Sequence, residues 1–136
     1  MATVHVFIST GRFRSFEEMR TFIDETYTED GDGVPSAFMR EVGLSGYEPG
    51  CIEAIHHGWP VSLPELLAQA SYADQWVPRL DGSARADAAI CVFDPNTVEH
   101  PQRSLLGYIG AFEYQVVFPD WFEHLFRGEE ENTEPI

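Results

Sequence analysis

Two kinds of periodicity predict an α+β fold: one domain, with an about four-stranded, largely antiparallel sheet and helices packed mainly on one face. Four stretches (3–9, 51–57, 88–93 and 104–118) alternate apolar with polar or run apolar throughout, as strands do. Between them lie stripes of apolar residues spaced three and four apart, two of them opened by Ser-x-x-Glu, the signature of a helix start. The 136 residues, 43% hydrophobic, suffice for one core and not for two.

The first strand sets Val4, Val6 and Ile8 against His5, Phe7 and Ser9, so both of its faces are at least half covered. The chain turns at residues 11–14. Ser15 and Glu18 then cap a helix whose apolar stripe is Phe16, Met19, Phe22, Ile23 and Tyr27. An acidic, glycine-rich loop follows (Glu29, Asp30, Gly31, Asp32, Gly33), then a short amphipathic segment with Phe38, Met39 and Val42, ended by Gly43. The strand at 51–57 runs into Gly58-Trp59-Pro60. Ser62 and Glu65 open a helix that buries Leu63, Leu66, Leu67 and Ala70, restarts at Ser71 and stops before Pro78.

Residues 88–93 (AAICVF) are apolar on both faces and predict a central strand. A polar connection at 94–103 leads to the last strand, which is long enough to require a bulge or bend at Gly107 or Gly110. The last two long strands are expected to pair with each other. Asp120 and Glu123 cap a final helix holding Trp121, Phe122, Leu125 and Phe126. The domain is thus expected at 1–128, with 129–136 an acidic, mobile tail.

Charge narrows the function. Eight arginines and no lysine face 23 acidic residues, a net charge of −15. Such a surface repels nucleic-acid phosphates and anionic membranes and speeds encounter with basic proteins. Without lysine the chain has no Walker-type, Schiff-base or kinase-type lysine chemistry. No apolar run reaches the roughly 18 to 20 residues of a membrane helix, and the amino terminus lacks the features of a signal peptide. A cytoplasmic location is expected, with Cys51 and Cys91 reduced and buried.

No catalytic set emerges. Cys51 and His57 are six residues apart on one strand, about 20 Å at about 3.3 Å each, too far for a nucleophile–base pair. His56 and His57 point to opposite faces and do not chelate one zinc ion. Asp30-Gly31-Asp32-Gly33 opens like a calcium loop, with Glu41 twelfth from Asp30. Val34 stands at a ligand position, however, and Pro35 where the turn requires glycine. No metal site and no cofactor are expected. A histidine meeting a cysteine across strands, such as His5 with Cys91, stays open, as does a small enzyme using His5, His57 or His124 with carboxylates.

Seven acids (Glu17, Glu18, Asp24, Glu25, Glu29, Asp30, Asp32) fall within sixteen residues, a density that folding does not ask for. Trp59, Tyr72 and Trp76 fit no stripe cleanly. An exposed Trp or Tyr beside acids has the composition of a binding hot spot, and a tryptophan closing the end of the core explains each equally well.

Residues 5–44, with His5 to Gly11 (HVFISTG) and the turn from Thr28 to Asp32 (TEDGD), followed by YEPGCIEAIH at 47–56, resemble the immunity protein 22 family of bacterial polymorphic-toxin systems. The likeness is strongest over the first sixty residues and continues through the strand–strand–helix ending. It implies a small α+β cytosolic protein that binds and neutralises the active domain of a cognate toxin, with no active-site residues to carry over. A nuclease toxin, which presents a basic groove, suits an acidic inhibitor. The partner-binding set expected on these grounds is Glu25, Glu29, Asp30, Asp32, Trp59, Tyr72 and Trp76. A regulatory module for another basic protein is the further alternative.

Overall fold

The computed structural model describes residues 1–117; the expected terminal helix and the tail at 129–136 lie outside them. The fold is organised on strand β1 (Ala2–Ser9), which occupies an inner position in a four-stranded sheet. On one side it pairs antiparallel with β6 (Arg85–Phe93), from Val4↔Phe93 to Ser9↔Ala88. On the other it pairs antiparallel with β8 (Gly107–Tyr114). Strand β5 (Ile52–Ser62) closes the far edge against β6, giving the order β5-β6-β1-β8 with every neighbouring pair antiparallel.

The expectation that β6 and β8 pair with each other is therefore corrected: β1 lies between them. An amino-terminal strand apolar on both faces belongs inside a sheet, and that left β8 the outer place. The bulge expected in the last strand is present. The register shifts where Val6 and Phe7 face Gly110 and Tyr108, and Gly110 adopts φ 147.

The helices divide between the two faces of the sheet. Helix α1 (Phe16–Ile23) and helix α2 (Ala37–Val42) set Met19, Ile23, Phe38 and Val42 against Phe7, Ala88, Ile90 and Val92. On the other face, α3 (Leu63–Leu66) and α4 (Ala73–Trp76) bring Leu63, Leu66 and Trp76 onto Val4, Val6, Ala89, Cys91 and Phe93. This differs from the expected one-sided packing. Its cause is visible in β6, where the eight residues from Ala86 to Phe93 are all buried, so neither face can be left to water.

Helix α1 is shorter than its apolar stripe suggests. Ser15 Oγ accepts from Glu18 N at 3.1 Å, and the helix stops at Asp24, whose backbone is extended. Two-residue strands β2 (Thr26–Tyr27) and β3 (Gly33–Val34) then form a hairpin. In the polar connection after β6, β7 (Thr97–Val98) pairs with β4 (Leu44–Ser45), a second small ladder that the sequence did not announce. Beside it the fully buried Asn96 amide accepts from Glu48 N (2.8 Å) and donates to the carbonyls of Glu48 and Phe93. Strand β5 runs past its expected end through a wide bulge. His56 pairs with Ala88 and Val61 with Ala86, so residues 57–60 stand opposite Asp87 alone, and Gly58 adopts φ +101. The helix expected from Ser62 is only one turn long, and the chain restarts at Ala73 after Tyr72 in a left-handed conformation (φ 56).

A candidate acidic docking surface

The acidic run after α1 folds into the β2–β3 hairpin because its turn is satisfied locally. Thr28 N donates to the Asp32 carbonyl at 2.9 Å, Gly31 N to the Thr28 carbonyl at 2.9 Å, and Asp32 N to Thr28 Oγ1 at 3.1 Å. Gly31 takes φ +87, which favours glycine. With the backbone paired internally, the side chains of Glu29, Asp30 and Asp32 face solvent.

Glu25 stands at the base of the hairpin and ties it down. Its backbone N–H donates to the Tyr47 hydroxyl at 3.4 Å, and its carboxylate accepts from the Tyr27 hydroxyl at 3.1 Å. The same carboxylate lies against Gly33, where a Cβ would stand 2.3 Å from Oε1. The hydrogen bond to Glu25, and then the carboxylate's charge, push the Tyr27 hydroxyl above its ordinary pKa. Among the described residues the one Arg–carboxylate ion pair is Arg20–Asp24, at 2.5 Å, one turn before the hairpin. No described arginine lies within 4.0 Å of the carboxylates of Glu25, Glu29, Asp30 or Asp32.

The structure adds Tyr27 to this surface. The helical stripe had assigned it to the core, but it is 66% exposed, beside the half-exposed Val34. A signal for this was present: Thr26-Tyr27 is a β-branched and aromatic pair directly before a Thr-Glu-Asp-Gly-Asp-Gly turn, the pattern of a short hairpin strand.

The aromatic members of the expected set part company. Trp59 is 64% exposed on the β5 bulge, braced edge-on by His57 at 4.4 Å, while Arg85 Nη2 holds the Pro60 carbonyl at 2.9 Å. It is not beside the hairpin. Tyr47–Glu25 and Arg20 Nη1 to the Ile52 carbonyl (3.4 Å) anchor the hairpin end of α1 at the start of β5. Trp59 lies in the bulge opposite Asp87, five ladder positions beyond the Ile52–Val92 pair, roughly 15 to 17 Å along the strand at about 3.3 Å per position. Tyr72 is half-buried and stacks on Tyr114 at 4.7 Å. Trp76 has no exposed surface; its indole N–H donates to the Ser71 carbonyl at 2.9 Å and its ring packs on Phe93 and Phe112. It is a core residue, because α4 turns its apolar side onto the sheet. Both belong to the layer on the opposite face of the sheet from α1.

The reactive side chains are kept apart. Cys91 is fully buried, and burial drives its thiol pKa far above the ordinary value; burial and then Glu48 and Glu53 raise that of Cys51. His5 sits with Tyr108 toward the α1 face and Cys91 in the core on the other face, so the His5–Cys91 pairing does not form. His56 Nε2 lies 2.9 Å from the Phe13 carbonyl, and His57 Nδ1 is 3.2 Å from the Trp59 carbonyl. His124 lies outside the described residues. Among the described residues, no three His, Cys, Asp or Glu side chains are grouped to hold a metal ion, and no helix is long and apolar enough to cross a membrane.

The family model described as Immunity protein 22 matches residues 6–115. Among the curated proteins and the solved structures, none matches the chain.

Proposed function

Because the chain belongs to the Immunity protein 22 family, we propose that it binds and neutralises a cognate toxin domain, with the β2–β3 hairpin making the first contact. The toxin is expected to carry a basic surface, as a nuclease does. The observation that carries this reading is the hairpin's four carboxylates, Glu25, Glu29, Asp30 and Asp32, with no described arginine within ion-pairing distance. Carboxylates crowded together repel one another, and a partner's cations relieve that repulsion. Exposed Tyr27 among them supplies an aromatic contact of the kind that dominates interface energetics. The protein acts by occupying the toxin rather than by chemistry, in the cytoplasm and without a cofactor. Trp59 remains in the proposed contact as a separate anchor on the same chain, while Trp76 takes no part.

The test is a double charge reversal, Asp30→Arg with Asp32→Arg, measured against the toxin domain recovered with the protein from its native strain. Association is expected to slow by roughly tenfold or more, while the melting temperature of the free protein stays nearly unchanged. A loss of stability as large as the loss of binding would assign these acids to the fold instead.

A further inference from the structure

Beside the acidic hairpin the surface opens into a cleft of about 510 Å³, lined by Arg12, Phe13, Glu18, Thr21, Phe22 and Ala37. Ala37 opens α2 three residues after Val34, so the cleft adjoins the hairpin. The Arg12 guanidinium is held over two aromatic rings, 5.4 Å from the Phe22 centroid and 5.9 Å from that of Phe13. Although the chain carries 23 acidic residues, no described carboxylate lies within 4.0 Å of it. The two rings thus hold the guanidinium by cation–π attraction, and among the described residues no carboxylate pairs with its N–H donors.

Resting on the reading that the protein binds a toxin domain, we propose that this cleft receives one Asp or Glu side chain of that domain, paired with Arg12. The volume is of the size that takes a side chain or small ligand, and a planar guanidinium offers two parallel hydrogen bonds to a carboxylate. Glu18 lines the same cleft and disfavours a polyanion, so the fit is to a single carboxylate rather than to phosphate or nucleic acid. The arrangement solves a specificity problem. Attraction between a −15 protein and basic surfaces is indiscriminate, whereas a fixed positive point beside the acidic hairpin rewards only a partner with a carboxylate at that place.

The experiment measures affinity and off-rate for the toxin domain against Arg12→Gln, Arg12→Lys and the Asp30→Arg/Asp32→Arg pair at one salt concentration. Arg12→Gln is expected to weaken binding about tenfold to 100-fold, mainly through faster dissociation. Arg12→Lys should recover little of this, since an ammonium does not form the two-pronged pair. Both variants should melt close to the wild type, because Arg12 is exposed and outside the core. Unchanged binding by Arg12→Gln, alongside weakened binding by the hairpin pair, would overturn the cleft and leave the hairpin reading standing. Wild-type affinity in Arg12→Lys would overturn the seated carboxylate as well. If no toxin domain accompanies the protein, or neither set of variants weakens it, the functional reading falls and the cleft with it.

Discussion

At the scale of single residues, His5 couples the sheet to pH. Its Nδ1 lies 3.0 Å from the Tyr108 hydroxyl and the two rings stack, so the partly buried imidazole links β1 to β8. Burial lowers its pKa below the ordinary 6.5, and the charge of Asp94 works in the opposite direction. A depressed folded pKa means that the unfolded chain binds the proton first. The stability His5 contributes is therefore complete above about 6.5 and is lost as pH falls from there toward the folded value. Thermal melts from about pH 7.5 to about pH 5.5 should show a falling midpoint, and His5→Gln should flatten part of that fall. An identical pH profile in the variant would remove His5 from the account.

At the scale of elements, the joint between α1 and α2 rests on Ser36. Its hydroxyl donates to the Ile23 carbonyl at 2.7 Å and accepts from Met39 N at 3.1 Å, and Met39 Sδ accepts from Ser36 N at 3.4 Å. One buried side chain thus closes the end of one helix and caps the next, fixing the hairpin between them. Ser36→Ala leaves both groups without that partner and should cost about 1–2 kcal/mol. The check is chemical denaturation, where the midpoint should fall with the slope unchanged. A midpoint equal to the wild type would mean that water or a rearranged turn replaces the hydroxyl. This joint was hard to read because Met replaces the Glu or Gln that usually completes a capping box. The start of α1 was easy to read, since Ser15 and Glu18 carry the familiar spacing.

At the scale of the whole molecule, the charge of −15 acts at a distance. Screening by salt shortens that reach, with a Debye length of about 10 Å at 0.1 M. Association with a basic toxin domain, followed by stopped flow, should slow steeply from low to physiological salt, while dissociation changes much less. An on-rate insensitive to ionic strength would remove steering from the proposal. Packing on the same scale explains why the two faces of the sheet are both closed. β6 is buried almost end to end, and helices on either side are what make that possible.

The sequence by itself determined the four strands of the main sheet, the α+β class, the helix starts at Ser15 and Ser62, the bulge near Gly110 and the density of acids around the hairpin. All of these are set by neighbours within a few residues, through side-chain period, caps and glycine backbone freedom. Even the covering of both sheet faces was written in AAICVF, although the expected one-sided helix layer did not follow that hint. Only the tertiary structure decided that β1 separates β6 from β8, that Tyr27 lies outside while Trp76 lies inside, that Trp59 stands far from the hairpin, and that Arg12 is held over two rings with no described carboxylate in reach. Those outcomes depend on contacts between segments distant along the chain. Periodicity says which faces of an element are apolar, and only packing chooses the element that covers each.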